Sequence, residues 1–268
     1  MSLQDIVKGV GCIARDSVAQ TGSDIIFLSE TGVMSLMRLI QEKSAPLRDI
    51  SMNVRDDLVG NVANEDRDLI KAVYYSRDAF YLITLPTTGY TYCFDTRQTL
   101  QNGAARVTIW NQITPKAYLS RSDGVLLIGK TNYVGRYQGY QDNGSAYRMT
   151  YKTNHFDLDK PTNIKILKKL GWVIIGGTNQ PISVLYGFNY SETLVGASVA
   201  LPAEAVSEYN IAEYGIGEYS DGIVLDNVYV NAGGSGEVIQ LGMEADINGT
   251  FVSIQKVDLY CKLGKINY

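Results

Sequence analysis

The chain has 268 residues, of which 45% are hydrophobic and 19% charged; that is enough apolar material for one large domain or two ordinary ones, and too much for a wholly disordered chain. Its 24 basic and 28 acidic residues leave a net charge of −4, which argues against a global pull toward nucleic acid or anionic lipid, because a chain without excess Lys and Arg releases few counterions. No apolar run reaches the ~18 residues needed to cross a bilayer, and the opening MSLQDIVKGVGCIARDS carries acid and base early, without the apolar stretch of a secretory signal. Cys12, Cys93 and Cys261 are odd in number and far apart, so neither a disulfide framework nor a CxxC metal site is expected. The single histidine, His155, sits in NHFDLD, which fits neither a Ser-His-Asp triad nor an HExxH zinc motif. Tyrosine is abundant, with 19 copies against six phenylalanines; an apolar body with a polar tip suits a pleated, half-wet surface.

In chain order, three stretches repeat one pattern: GSDIIFLSETGVMSL (Gly22–Leu36), DAFYLITLPTTGYTYCFD (Asp78–Asp95) and DGVLLIGKTNYVGRY (Asp123–Tyr137). Each has a turn residue, a continuous apolar run, a polar loop with a bend and a second extended run, which predicts a β-hairpin whose inner strand is buried on both faces. The apolar runs begin near residues 25, 80 and 125, and a period of ~40–50 residues is that of propeller blades. ARVTIWNQI (Ala104–Ile113) and KAYLSR (Lys116–Arg121) supply further strands, with Trp110 packed between sheets. Between the first two hairpins, Val54, Leu58, Val62, Leu69 and Val73 recur at roughly helical intervals with acids early, which predicts one or two short helices within 53–73.

After Asp142-Asn143-Gly144 the character changes to strands of five to nine residues punctuated by Gly, Asn, Asp and Pro, the pattern of a β-sandwich. In the last of them, FVSIQKVDLYCKL, Lys256, Asp258, Tyr260 and Lys262 share one face, and a bulge near Gln255 would switch faces. Asn248-Gly249 reads as a tight hairpin before it, and AGGSG (Ala232–Gly236) as a hairpin loop, since it lacks the Lys and helix of a phosphate loop. LPAEAVSEYNIAEYGIGEYSDG (Leu201–Gly222) reads as a long acidic loop or a short helix. The expected fold is mainly β: partial propeller-like blades over 1–146, with a helical insertion near 53–73, then a β-sandwich over 147–268. Three blades do not close a propeller, which usually needs four to eight.

GVGCIARDSVAQTGSDIIFLSETGVMSLMR resembles a recurrent segment of tail proteins from short-tailed bacteriophages. There a Gly-Cys-x-Ala turn leads to a strand ending Phe-Leu-Ser and then to x-x-Gly-Val-x-Ser-Leu; the matching positions are Gly11, Cys12, Ala14, Phe27, Leu28, Ser29, Gly32, Val33, Ser35 and Leu36. YKTNHFDLDKPTNIKILKKLGW is similar to the stretch where those proteins leave the propeller, and IQKVDLYCKLGK to their final strand. The likeness is to tail hub (nozzle) and packaged-DNA stabilisation proteins. It implies a non-catalytic virion component without cofactor or metal, made in the host cytoplasm. Such a subunit forms a homo-oligomeric ring below the portal and its adaptor, retains and conducts packaged DNA, contacts that DNA weakly and without sequence preference, and meets tail fibres or spikes, with no membrane partner. The chain is shorter than those relatives, which leaves two expectations, a whole subunit with fewer blades or a C-terminal fragment of the family's layout.

The strongest basic-aromatic cluster is KILKK with Trp172: Lys165, Lys168, Lys169 and Trp172 are the candidate DNA-facing or interface residues, through phosphate pairing and stacking. The same run also fits a solvated strand face, the usual fate of charge runs. His155, Asp157 and Asp159 alternate as they would on one side of a strand, but with no fourth ligand a surface strand leading into Pro161 is the simpler reading. Two functions follow: a structural ring-forming virion protein, or a non-catalytic carbohydrate- or receptor-binding module on the β-sandwich. A propeller hydrolase is disfavoured, since its Ser-x-Asp-x-Gly-x-Thr-Trp box is missing.

Overall fold

Each of the three repeated stretches folds as an antiparallel hairpin in the computed structural model, which describes residues 10–42, 49–111, 113–176, 180–201 and 225–266. The fold is mainly β, in several small sheets with no closed barrel. Two compact units are distinguished, 1–137 and 138–268.

In the first unit, a 3-10 turn at Arg15–Ser17 leads into β1 (Ala19–Thr21), β2 (Asp24–Ser29) and β3 (Gly32–Ser35), a three-stranded meander. The chain then enters α1 (Leu36–Glu42), which the hairpin pattern alone did not predict. Its start is set by side chains. Ser35 Oγ accepts the Arg38 N–H at 3.2 Å and donates to Asp24 Oδ2 at 2.6 Å, while Asp24 Oδ1 accepts the Met37 N–H at 3.0 Å, so orphan donors of the first turn find partners. A second helix, α2 (Arg55–Ala63), falls inside the expected 53–73 insertion, with Asp56 and Asp57 in its first turn and Leu58 and Val62 buried one turn apart. The helix ends there. Val73, which also matched the helical interval, lies in β4 (Lys71–Tyr75), because tertiary pairing with the next strand outweighs a weak local period.

β4, β5 (Phe80–Leu85), β6 (Tyr90–Thr99) and β7 (Ala105–Asn111) form a complete four-stranded meander; β8 (Ala117–Ser120), β9 (Leu126–Gly129) and β10 (Val134–Arg136) form a third sheet of three strands. β5 is buried on both faces, as its continuous run requires. Tyr81, Ile83 and Leu85 join one cluster with Leu28, Leu58 and Phe94, while Leu82 faces the other way toward Tyr75, Cys93 and Leu126. Trp110 packs between the second and third sheets, its ring stacked on Tyr137 with centroids 5.7 Å apart.

The second unit contains β11 (Tyr147–Lys152), β12 (Asn163–Gly176), β13 (Pro181–Phe188), β14 (Val195–Ala200), β15 (Leu225–Gly236), β16 (Ile239–Ile247) and β17 (Val252–Ile266). They make a four-stranded sheet in the order β11-β16-β13-β14 and a three-stranded sheet in the order β15-β12-β17. Leu170 and Trp172 from one sheet share a buried core with Val184 and Met243 from the other, which is a sandwich. Residues 138–146 go with this unit rather than the first, because Tyr140 O accepts the Gly249 N–H at 2.9 Å and Gln141 Nε2 donates to Asn248 Oδ1 at 2.7 Å.

Two turn expectations are corrected. Asn248-Gly249 does not close a hairpin: β16 and β17 belong to different sheets, so the turn carries the chain across the core. Ala232–Gly236 is not a loop but the end of β15, paired with Lys165–Leu167. Its glycines serve close approach: a Cβ on Gly234, at φ +134°, would come within 2.5 Å of the Phe188 ring. Of the acidic stretch 201–222, only Leu201, which is buried, lies within the described residues.

Candidate functional site

β12 is the centre of its sheet, and its apolar stripe changes parity. Lys165 and Leu167 point inward before the change; Leu170, Trp172 and Ile174 point inward after it. Strict alternation allows no such switch, so the strand carries an irregularity: the register with both neighbours shifts between Leu167 and Lys169, and Lys168 stands at the shift. β17 has a matching device. Val173 pairs with Lys256 and Ile174 with Ile254, which leaves Gln255 as the extra residue. Val252 and Ile254 therefore pack on the core before it, and Val257, Leu259 and Cys261 after it. This is the bulge expected near Gln255.

The switch divides the four expected interface residues. Trp172 is 1% exposed and Lys165 fully buried, so neither offers a surface to DNA; this corrects the expectation for both. Lys165 runs its stem inside the sandwich and donates from Nζ to the carbonyls of Lys160 and Glu237, so backbone dipoles solvate a cation that water cannot reach. Trp172 Nε1 has no hydrogen-bond partner among the described residues. Lys168 is exposed and Lys169 half-buried, and both remain on the outside.

The outer face of this sheet holds aromatic groups in place of Trp172. The register sets Lys169 between Asn231 and Tyr260, Gly171 between Tyr229 and Asp258, and Val173 between Asn227 and Lys256; directly paired residues share a face. Lys169 Nζ lies 4.0 Å from the centroid of the Tyr229 ring and 5.8 Å from that of Tyr260, a cation–π arrangement. Gly171 makes room for it, since a Cβ there would meet the Tyr229 ring at 3.0 Å. Tyr229 is 52% and Tyr260 46% exposed. Lys256 pairs with Asp258 at 2.8 Å, and that hydrogen bond holds its ammonium above the usual lysine range. Lys262, opposite Ile166, completes the face. Among the described residues, Lys168, Lys169, Lys256 and Lys262 thus stand against Asp258, an excess of three positive charges on a chain of net charge −4. The sequence placed Lys256, Asp258, Tyr260 and Lys262 on one face. It did not bring them beside Lys168 and Lys169, because strands so far apart pair only in the fold. The missed partner, Tyr229, had a signal in Asn227-x-Tyr229-x-Asn231 alternating with the inward Val228 and Val230.

His155, Asp157 and Asp159 do not share a strand. Leu158 and Asp159 adopt positive φ, and Asp157 Oδ1 accepts the Asp159 N–H at 3.0 Å, which makes the stretch a turn; His155 instead lies 4.6 Å from the ring of Tyr190. Among the described residues no group of three or more His, Cys, Asp and Glu is placed to hold a metal ion, and no helix is long and apolar enough to cross a membrane. In the first unit, a concavity of about 300 Å³ is lined by Arg15, Asp16, Arg67 and Asp68. Hydrogen bonds from Arg15 and Lys71 lower the Asp16 carboxyl to about 2, which keeps that side chain ionised near neutrality.

No protein-family model matches the chain, and no curated protein matches it.

Proposed function

We propose that the chain is a structural virion protein, a subunit of a ring-forming tail hub or nozzle of a short-tailed bacteriophage that retains and conducts packaged DNA. The observation that carries this reading is the order of the resembling stretches. Gly11–Leu36 spans β1 to β3, Tyr151–Trp172 runs from β11 into β12, and Ile254–Lys265 lies in β17. The first stretch is one knit element. Ser17 Oγ donates to Ala14 O at 2.7 Å and accepts the Leu28 N–H at 3.0 Å, and the Ile13 N–H binds Leu28 O at 3.0 Å. In this reading the ring is homo-oligomeric, it meets the portal or adaptor and the fibres or spikes, and the protein works without catalysis in the virion after synthesis in the host cytoplasm. The experiment is cryo-electron microscopy of particles carrying an epitope insertion in the exposed Asp142–Ser145 turn. Density for the label below the portal supports the reading, and particles that lack the chain overturn it.

The exposed tyrosines of the β15-β12-β17 face favour a second reading, a non-catalytic module that binds a carbohydrate or a receptor. Under it the purified chain stays monomeric and the tail contains no copy of it.

A further inference from the structure

We infer that the outer face of the β15-β12-β17 sheet binds single-stranded nucleic acid, with Tyr229 and Tyr260 stacking bases and Lys168, Lys169 and Lys262 pairing with the backbone. Three observations converge. First, the face is basic on an acidic chain: among the described residues, Lys256 is the one of its four lysines with a carboxylate partner within the face, so the other three are available to phosphates. Second, two aromatic rings stand about half exposed on the sheet, with the Gly171 floor between Tyr229 and Asp258 and the Lys169 ammonium between the rings. A tracking positive surface with interleaved aromatics is the arrangement that holds single strands, because every base offers a π-face. Third, the amides of Asn227 and Asn231 flank Tyr229 on the same face of β15 and are exposed, a donor and an acceptor on each side of the ring. A duplex fits less well: its bases are already stacked on each other and offer the tyrosines no free π-face. The inference rests on this face alone and stands apart from the assembly proposed above.

The test is fluorescence anisotropy of the full chain, in about 50 mM salt, with four probes. These are a labelled oligothymidine of about 20 nucleotides, the same strand as a duplex, an abasic strand of equal length, and polygalacturonate as an acidic glycan. Tyr229→Ala and Tyr260→Ala are read beside Lys168→Glu and Lys262→Glu, all in a Trp110→Phe background so that emission of buried Trp172 reports that each variant is folded. The expected result is at least tenfold tighter binding of oligothymidine than of the duplex. Each tyrosine variant loses about tenfold on oligothymidine and nothing on the abasic strand, and each lysine variant weakens both and flattens the salt dependence by about 0.7 in slope. No binding, equal affinity for strand and duplex, tighter binding of polygalacturonate, or tyrosine variants that bind like the parent would each overturn the inference.

Discussion

The carboxylate of Asp49, with no exposed side-chain surface, is paired with the guanidinium of Arg55, which is 37% exposed. Asp49 Oδ1 also accepts Ser51 Oγ at 3.1 Å, and Ser51 Oγ accepts the Val33 N–H at 2.9 Å. The Ala105 N–H binds Ile50 O at 3.0 Å, so this one short stretch ties β3, α2 and β7 together.

Removing the acid leaves Arg55 and Ser51 without their partner at a buried position. Asp49→Ala is expected to lower stability by about 1–3 kcal/mol, because the buried Ser51 hydroxyl loses its acceptor while the Arg55 guanidinium can turn to water. Arg97→Ala, at the exposed pair with Asp95, is expected to cost under ~1 kcal/mol. Urea unfolding of both variants checks the contrast; equal midpoints would remove the structural role given to Asp49.

Gly32 adopts φ +136°, and a Cβ there would sit 2.3 Å from Ser51 Oγ. Gly32→Ala therefore combines backbone strain with displacement of that hydroxyl from Val33, and is expected to cost about 2–3 kcal/mol. Gly60→Ala, in α2 with open space around it, is expected to stabilise by up to ~1 kcal/mol. Thermal melts that order the two variants the other way would contradict the geometry.

The bulge at Gln255 is a matter of count, not of side-chain chemistry. Gln255→Ala is expected to lie within ~0.5 kcal/mol of the parent, because the residue is exposed. Deleting Gln255 forces either Val252 and Ile254 or Val257, Leu259 and Cys261 out of the core, and is expected to abolish the cooperative unfolding of the second unit. Denaturation followed by Trp172 emission in a Trp110→Phe background separates the two outcomes.

Burial raises the Cys93 thiol to about 12, whereas Cys12 is exposed. Near pH 8 an aromatic disulfide reagent should label Cys12 in the native state and reach Cys93 only on unfolding, since the thiolate is the reactive form. Prompt native labelling of Cys93, read by peptide mass mapping, would contradict its burial.

The Asp16 carboxyl, lowered from 3.8 to about 2 by hydrogen bonds from Arg15 and Lys71, gives a signed pH dependence. Its contribution to stability is fully present above the unfolded value near 3.8 and is lost as pH falls through about 2. Carbon-detected NMR titration should find the midpoint near 2 and move it upward in Lys71→Met; a midpoint near 4 in the parent would show that the pairing does not persist in solution.

What could be read before the fold was known follows from range. The three hairpins were legible because apolar run, bend and return lie within about fifteen residues, and so was the Gln255 bulge, because a parity switch is written in one strand. α1 was hidden, since Leu36–Glu42 gives only two turns and its start depends on Asp24, eleven residues away from Ser35. Asn248-Gly249 was misread because a turn dipeptide specifies a reversal and not which sheet receives the next strand. The interface cluster failed for a related reason. A run of lysines shows charge but not facing, and the irregularity at Lys168 sends Lys165 and Trp172 inward. The aromatic groups on the outside come from β15 and β17, some sixty and ninety residues further along.

The β15-β12-β17 sheet has one central strand, and among the described residues neither long neighbour is paired on its far side. An open ladder is sticky toward any extended peptide, including another copy, and lysines along such a border are a common safeguard. Lys262 on β17, beside the internally paired Lys256 and Asp258, leaves like borders a net positive charge whose mutual repulsion dissolved ions weaken. Concentrated stocks should therefore stay clear longest in dilute buffer and turn cloudy as sodium chloride is added.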